Sequence, residues 1–319
     1  MADDNIASFT TGAVATAALD GLCAARKTLP PSLFYDEEGC RLFYEITGLP
    51  EYYLTRAEFR LLETTAPAVA ARCEPSTTLV EYGASDETKA AMLLRQTTRG
   101  GRPVFSTYVP IDVAGPALRS LRARMASTWP GLTVMPVTAD FLRPLTLPMR
   151  GNEAGVLGFF PGSTIGNLEP PAATAFLRRA RLTLGMGACM LLGFDTCRDP
   201  ARLIPAYNDA QGVTAAFNLN LLTRLNREAG ADFDLAAFRH EAIWNPMESR
   251  IEMHLVSRGA SEVRVAGHTV SFAEGETIHT ENSYKYAPGR MGAMIGAAGW
   301  SRQAVWSDPD GLFSLWLLG

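Results

Sequence analysis

Cysteine and histidine are scarce in this chain of 319 residues, and neither is spaced as in common metal sites. The five cysteines show no CxxC spacing, and their odd number excludes a complete set of disulfides. The four histidines form no HxxxH pair, so their spacing predicts no zinc site. We therefore expect small buried or idle thiols, no metal ion and no metal catalysis.

Long apolar runs and an excess of positive charge are also missing. No stretch approaches the roughly 20 apolar residues that a membrane-spanning helix needs. The first residues, MADDNIASF, are too acidic and polar for a signal peptide. A formal charge of −4 argues against a protein whose main partner is nucleic acid. We expect a soluble, cytoplasmic monomer with no nucleic-acid or membrane partner.

Apolar residues make up 47% of the chain, which is enough for a large core that could divide into two domains. Between residues 79 and 195, short apolar runs alternate with helical patterns, as in a parallel βαβ sheet. The predicted strands are TLVEYGAS, PVFSTYVPID, LTVMPVTADF, VLGFFPGSTIG and CMLLGFD. The predicted helices between them are DETKAAMLLRQ, GPALRSLRARMAS and PAATAFLRRARLTL. These strands predict half of a doubly wound α/β domain.

The pattern changes after about residue 200. YNDAQGVTAAFNLNLLTRLNREAG predicts a long helical segment, whereas RIEMHLVSR, SEVRVAG and HTVSFAEG alternate apolar and polar residues as antiparallel strands do. The C-terminal AVWSDPDGLFSLWLLG predicts a hairpin after the helix KYAPGRMGAMIGAAG. Sheets of the class I S-adenosylmethionine (SAM) methyltransferases end in this way, so fold analogy predicts a Rossmann-like sheet of that class.

Several residues at the carboxyl ends of the predicted strands are candidate ligand contacts, because ligands bind there in open parallel sheets. Gly83 lets the backbone approach a ligand, and Lys89 offers an ammonium group to a carboxylate. Asp112 can accept hydrogen bonds from both hydroxyls of a ribose. Asp140 offers an acceptor for an exocyclic amine, and Phe141 an aromatic face for a purine. Together they fit an adenosine that carries an amino-acid tail.

The fourth strand runs into FFPGSTIGNLEP, residues 159 to 170, which delivers the carboxamide of Asn167 to the same edge of the sheet. Taken singly, each of these positions is a weak signal. An Asp at a strand end commonly caps a helix, and EYGAS lacks the GxGxxG spacing of dinucleotide folds. The joint pattern favours an enzyme that binds an adenosyl group.

Longer motifs resemble one known family, the L-histidine Nα-methyltransferases of ergothioneine biosynthesis. The similar segments are LPPSLFYDEEGCRLFYEITGLPEYYLTRAE (29 to 58), GSTIGNLEP, YNDAQGVTAAFN, NREAGADFDLAAF, RIEMHL and GETIHTENSYKY. The likeness covers nearly the whole chain. It implies three successive methylations of the α-amine of L-histidine by SAM, which yield Nα,Nα,Nα-trimethylhistidine (hercynine) and S-adenosyl-L-homocysteine.

The resemblance also implies a role for each matching residue. The implied SAM contacts are Gly83, Lys89, Asp112, Asp140 and Phe141. The implied substrate contacts are Tyr52, Asn167 and Tyr207 at the carboxylate, Glu281 and Ser283 at the imidazole, and Met253 beside the ring. Tyr35 and Phe43 are implied as the pocket wall near the reacting amine. Neutral hydroxyl and amide donors suit a carboxylate near a sulfonium, and a pocket that pairs both ring nitrogens selects imidazole.

We predict two domains from these assignments. A SAM-binding domain would comprise residues 60 to 199 and 287 to 319, and a smaller α+β substrate domain would comprise residues 1 to 59 and 200 to 286, with the amino acid bound between them. Asn208, Asn282 and the loop of residues 83 to 89 depart from the family pattern, which leaves room for an altered preference. The alternatives are the same fold acting on another amino acid or small amine, and a SAM-binding protein without catalysis.

Overall fold

Thirteen strands and nine α-helices are found in the described part of the chain. The computed structural model describes residues 11–148 and 154–319, so the predicted domain segments extend beyond it at residues 1–10 and 149–153, and the MADDNIASF segment lies outside it. The strands are β1 (Thr77–Tyr82), β2 (Phe105–Asp112), β3 (Thr133–Val134), β4 (Val137–Thr138), β5 (Val156–Phe160), β6 (Cys189–Asp195), β7 (Phe238–Asn245), β8 (Arg250–Ser257), β9 (Ser261–Val265), β10 (His268–Phe272), β11 (Thr277–Tyr284), β12 (Arg302–Ser307) and β13 (Phe313–Leu318). The helices are α1 (Thr11–Leu22), α2 (Glu37–Gly48), α3 (Tyr53–Ala70), α4 (Thr88–Leu94), α5 (Gly115–Thr128), α6 (Pro170–Leu184), α7 (Pro200–Tyr207), α8 (Val213–Glu228) and α9 (Pro288–Ala297).

These elements form two units. The first consists of Leu54–Thr196 and Tyr286–Gly319, and the second consists of residues 11–53 and Cys197–Lys285. Whether they act as a cofactor domain and a substrate domain stays a prediction. Among the described helices, none combines the length and the apolar character that crossing a bilayer would require.

The first unit is built on one eight-stranded sheet. Its order is β12-β13-β6-β5-β1-β2-β3, and β4 also pairs with β2. The inner strands β6, β5, β1 and β2 are parallel, whereas β13 is antiparallel to both of its neighbours, β6 and β12. Every residue of β1 and of β13 is buried, as expected for strands that are covered on both faces. The predicted class I methyltransferase sheet and its C-terminal hairpin are therefore confirmed.

One part of that sheet is shorter than the sequence predicts. The segment LTVMPVTADF was expected to form one strand, but it forms the two-residue strands β3 and β4, which pair with β2 at different places. Pro136 lies between them and lacks the N–H group that a continuous ladder would use. The end of the segment still reaches the carboxyl edge of the sheet, because Thr138 pairs with Asp112.

The second unit contains a three-stranded antiparallel sheet in the order β11-β8-β7 and a separate β9-β10 hairpin. Helices α7 and α8 pack against the larger sheet. The long helical segment predicted from Tyr207 onward forms α8, but it starts six residues later than predicted, because α7 ends at Tyr207 and α8 starts at Val213. The Asp209 carboxylate accepts the amides of Val213 and Thr214 at 3.0 and 2.8 Å, and Gly212 has a φ of +76°, so these residues start a new helix.

Candidate functional site

The carboxyl ends of β1, β2 and β4 meet at one edge of the first unit's sheet. The amide of Gly83 donates to the carbonyl of Ile111 at 2.8 Å, and the amide of Ala139 donates to the carbonyl of Asp112 at 3.0 Å. Gly83 has a φ of +76°, which L side chains rarely adopt, so a glycine suits this turn. The sheet thus brings the predicted residues Gly83, Asp112 and Asp140 to neighbouring positions.

The carboxylates at this edge are oriented by local backbone. Asp112 Oδ1 accepts the amide of Ala114 at 2.8 Å, and Asp140 Oδ1 accepts the amide of Leu142 at 2.9 Å. Burial raises the pKa of Asp112 to about 6, although the hydrogen bonds from Ala114 and Val113 oppose this shift. Asp112 therefore carries a partly desolvated carboxylate, which suits a neutral diol ligand.

Phe141 belongs to an aromatic cluster beneath the same edge. Its ring centroid lies 6.3 Å from Tyr82, 5.6 Å from Phe160 and 5.6 Å from Phe176. A Cβ atom built on Gly83 would stand 3.8 Å from the Phe141 ring, so the glycine keeps the space beside this ring free. A buried carboxylate, a second acceptor and an aromatic face beside a glycine turn offer the contacts that an adenosyl group requires.

Lys89 lies on α4 and pairs with a buried carboxylate that was not singled out from the sequence. Its Nζ is 2.7 Å from Glu58 Oε2, and Glu58 also accepts the amide of Gly162 at 2.8 and 3.0 Å. Glu58 is fully buried on α3, at the end of the LTRAE motif. It therefore ties the predicted cofactor-contacting lysine to the loop that follows β5.

The loop after β5 carries Asn167 at the end of a short 3-10 helix, Thr164–Asn167. Gly162 and Ser163 both have positive φ angles, +75° and +58°. The Ser163 hydroxyl accepts the amide of Asp195 at 3.0 Å, and the Tyr286 hydroxyl donates to the carbonyl of Leu168 at 3.1 Å. These contacts on both sides of Asn167 fix the loop at the carboxyl end of β5, as predicted from FFPGSTIGNLEP.

In the second unit, a β-bulge in β11 decides which side chains share a face of the sheet. His279 pairs with His254, but Glu281 pairs with Met253, so Thr280 is the extra residue. Because successive residues of a strand alternate between faces, Glu281 and Ser283 share the face of Met253. His279 and Asn282 share the other face with His254 and Glu252.

The first of these faces carries a compact polar group. The hydroxyls of Tyr207 and Ser283 are 2.7 Å apart, and Lys285 Nζ donates to them at 2.8 and 2.9 Å. All three side chains are buried, and Lys285 is only 1% exposed. Neutral donors were expected here, but the structure adds the Lys285 cation, two residues beyond Ser283 in the GETIHTENSYKY segment.

Glu281 is a buried carboxyl group on this face. Burial raises its pKa to about 8, and the charge of Lys285 acts in the opposite direction. A carboxyl group with a pKa in this range can donate or accept a proton near neutral pH. Met253, its partner in register, is 2% exposed and supplies an apolar neighbour.

Aromatic side chains form two further groups in this unit. The rings of Tyr35 and Phe43 are 6.0 Å apart, and both lie near Phe217 of α8, at 6.3 and 6.1 Å. The rings of Tyr52 and Tyr207 are 6.1 Å apart. The structure therefore brings Tyr35 to Phe43 and Tyr52 to Tyr207. Phe217 was missed because its spacing on α8 is that of an ordinary core residue.

Comparison with known proteins identifies the family. The model of the family described as "Histidine-specific methyltransferase, SAM-dependent" matches residues 14–319. The chain belongs to this family. Members use SAM as the methyl donor, so the predicted cofactor and the predicted methyltransferase activity are confirmed.

Similar curated proteins agree with the family assignment. Histidine N-alpha-methyltransferase of Mycolicibacterium smegmatis is 44% identical over 92% of this chain and 91% of its own length. The protein of the same name from Mycobacterium tuberculosis is 42% identical, with the same two coverages. Ergothioneine biosynthesis protein 1 of Neurospora crassa is 27% identical over 88% of this chain, but the match covers only 32% of that longer protein. The family resemblance stated from the sequence motifs is thus confirmed, whereas the individual site residues stay predictions.

Proposed function

We propose that this family member transfers three methyl groups in succession from SAM to the α-amine of L-histidine and so forms Nα,Nα,Nα-trimethylhistidine for ergothioneine biosynthesis. The observation that carries the proposal is the buried Glu281 carboxyl group beside Ser283 on one face of β11. A buried carboxyl group can pair with the polar edge of a ring in a site that excludes water, so its presence in a histidine-specific family supports a role in recognising the substrate ring.

Glu281 and Ser283 would pair with the two ring nitrogens of histidine. With a pKa raised to about 8 by burial, Glu281 is mostly protonated at neutral pH and can share its proton with an imidazole nitrogen. The Ser283 hydroxyl can donate or accept at the second nitrogen. A phenyl ring has no polar edge to pair with these groups, whereas an imidazole has two ring nitrogens, so the pair favours histidine.

The substrate carboxylate is assigned to hydroxyl and amide donors. Tyr207 supports this role because the Lys285 ammonium donates to its hydroxyl, which makes the hydroxyl a stronger donor toward an anion. Tyr52 lies beside Tyr207, and Asn167 stands in the anchored loop after β5. Met253 is assigned to the side of the imidazole ring.

The cofactor is assigned to Gly83, Lys89, Asp112, Asp140 and Phe141 at the sheet edge. When bound, SAM supplies an electrophilic methyl group on a sulfonium, so the protein needs no nucleophile of its own. The protein has to orient the α-amine and exclude water. Tyr35 and Phe43 are assigned to the wall near the amine, since aromatic faces accommodate a nitrogen that gains methyl groups and finally becomes a permanent cation.

We also propose that the chain acts as a cytoplasmic monomer on free histidine and its mono- and dimethylated forms. The negative formal charge supports the absence of a nucleic-acid partner. Light scattering of the purified protein with and without SAM tests the monomer directly.

The decisive experiment incubates the protein with SAM and each amino acid in turn and follows the mass of the product. Histidine should gain one, two and finally three methyl groups. Methylation of a different amino acid, with none of histidine, would establish a different substrate. Absence of any product would support the alternative of a SAM-binding protein without catalysis.

Two variants of adjacent β11 residues show whether Glu281 recognises the ring. Glu281→Gln should raise KM for histidine by about 10-fold or more, because a hydrogen bond with a charged or proton-sharing group contributes about 1.5–3 kcal/mol. Asn282→Ala is the matched control, since its side chain is on the opposite face of the sheet. Equal KM values for Glu281→Gln and wild type would show that the ring does not contact Glu281.

A further inference from the structure

The face of the second unit's sheet opposite Glu281 carries a cluster that the proposed methyl transfer does not use. Glu252, His254 and His279 each direct one potential metal-ligand atom into it, and these atoms all lie within 4.8 Å of one another. The rings of His254 and His279 are 4.7 Å apart, and the two residues are directly paired across β8 and β11. The spacing of histidines along the chain could not reveal this cluster, because its members come from two strands.

One distance within the cluster is close to that expected for two ligands of a shared ion. His254 Nε2 and Glu252 Oε2 are 3.2 Å apart. In a tetrahedral zinc site with bonds of about 2.0–2.2 Å, neighbouring ligand atoms lie roughly 3.4 Å apart. In one tautomer of His254 its Nε2–H donates to Glu252, and in the other tautomer two acceptor atoms face each other. A cation between them stabilises the second arrangement.

The surrounding groups orient these ligand atoms as outer partners do in metal sites. Glu252 Oε1 accepts from Asn245 Nδ2 at 2.9 Å and from Arg250 Nε at 2.7 Å. The other carboxylate oxygen, Oε2, faces His254. His279 Nε2 lies 3.1 Å from the carbonyl oxygen of Glu281. When His279 Nε2–H donates this hydrogen bond, the ring is in the tautomer with a lone pair on Nδ1, and that nitrogen can bind a metal ion.

We propose that Glu252, His254 and His279 bind one divalent transition-metal ion, with Zn²⁺ as the best-fitting ion. Two imidazoles and one carboxylate suit Zn²⁺, Cu²⁺ or Ni²⁺, whereas Mg²⁺ and Ca²⁺ prefer all-oxygen sites. Three protein ligands leave the fourth position of a tetrahedral ion to water. The bound ion links β8 to β11, the strand that carries the candidate imidazole contacts on its other face.

Calorimetric titration of the untagged full-length protein with ZnCl₂ tests the proposal. Wild type should take up one ion that His254→Ala and His279→Ala no longer bind at comparable concentration. Loss of an outer partner alone weakens metal binding by about 10- to 100-fold, so loss of a ligand should weaken it at least that much. MgCl₂ should give no binding to the same site.

His268→Ala is the matched control, because His268 is an exposed histidine of β10 outside the cluster. It should bind Zn²⁺ as wild type does. Glu252→Gln keeps the side-chain volume and should also weaken binding, which covers the case in which a histidine variant fails to fold. Bound Co²⁺ gives an independent readout, since its visible absorption reports tetrahedral coordination.

Zn²⁺ should also raise the thermal midpoint of wild type and of His268→Ala, but not that of His279→Ala, because an ion that binds only the folded state stabilises it. Equal Zn²⁺ affinity of wild type and both cluster variants would place the ion elsewhere, for example at the thiols, and would overturn the proposal. Absence of Zn²⁺ uptake by wild type would overturn it as well.

Discussion

Replacing Glu281 by Gln should stabilise the free protein at alkaline pH while it weakens histidine binding. Burial raises the pKa of Glu281 from 4.5 to about 8. In the unfolded chain the group ionises near pH 4.5, whereas in the folded protein it stays protonated until about pH 8. Between these values the unfolded state binds fewer protons, so the free energy of unfolding falls as the pH rises.

The size of this effect follows from the shift. At about 1.4 kcal/mol per pKa unit, the loss between pH 4.5 and pH 8 is roughly 5 kcal/mol, of which about 4 kcal/mol falls between pH 5 and pH 8. Glu281→Gln has no titrating group at this position. Its free energy of unfolding relative to wild type should therefore increase by up to about 4 kcal/mol between the two pH values.

Urea unfolding at pH 5 and pH 8, followed by circular dichroism and tryptophan fluorescence, measures this difference. All other titrating groups are common to both proteins and cancel. Glu274→Gln, which makes the same substitution at an exposed glutamate between β10 and β11, is the control. If the difference between Glu281→Gln and wild type is the same at both pH values, the carboxyl group is not desolvated as described.

Four further changes have defined outcomes. Lys285→Met removes the cation that lowers the pKa of Glu281, so that pKa should rise further, and KM for histidine should rise about 10-fold while the Kd of SAM stays unchanged in calorimetry. Asp112→Asn should weaken SAM binding about 10- to 100-fold. In wild type, SAM affinity should fall below about pH 6, where Asp112 becomes protonated, and the variant should lack this fall. The same pH profile of SAM affinity in both proteins would contradict this. Phe217→Ala should cost about 3–5 kcal/mol in chemical unfolding, because its 3% exposed ring stacks on a neighbouring ring at 4.4 Å; a loss below 1 kcal/mol would show that the aromatic group is loosely packed. Glu58→Gln should lower the free energy of unfolding by about 1–3 kcal/mol and weaken SAM binding, because it removes the charge that binds α4 and the loop after β5. An unchanged thermal midpoint and SAM affinity would argue against that role.

The sheet of the first unit could be predicted from the sequence because its strands are continuous apolar runs of strand length. The predicted order of elements and the C-terminal hairpin follow from local signals, such as the DPDG turn. The start of α8 at Val213, six residues later than predicted, depends on the Asp209 caps and on the positive φ of Gly212. Local propensity does not report such contacts.

The sequence predicted those parts of the candidate site that depend on a residue's place at the end of a strand. It did not predict contacts that depend on how two elements pack or pair. Gly83 and Asp112 stand at strand ends that the pattern locates directly. The proximity of Lys285 to the Tyr207 hydroxyl depends on how α7 packs on the sheet. The meeting of His254 and His279 depends on register, which the sequence of either strand alone leaves open.

The extra residue in β11 lets two nearby side chains serve opposite surfaces of the sheet. In a regular strand, residues two positions apart lie on the same face, because side chains alternate with a period of two. His279 and Glu281 are two positions apart, yet they pair with the consecutive residues His254 and Met253 and so lie on opposite faces. Thr280 has no register partner in β8, so deleting it alone should give a regular ladder and leave both side chains on their present faces. The polar groups of each surface are therefore set by the pairing with β8 and not by the spacing of residues along β11.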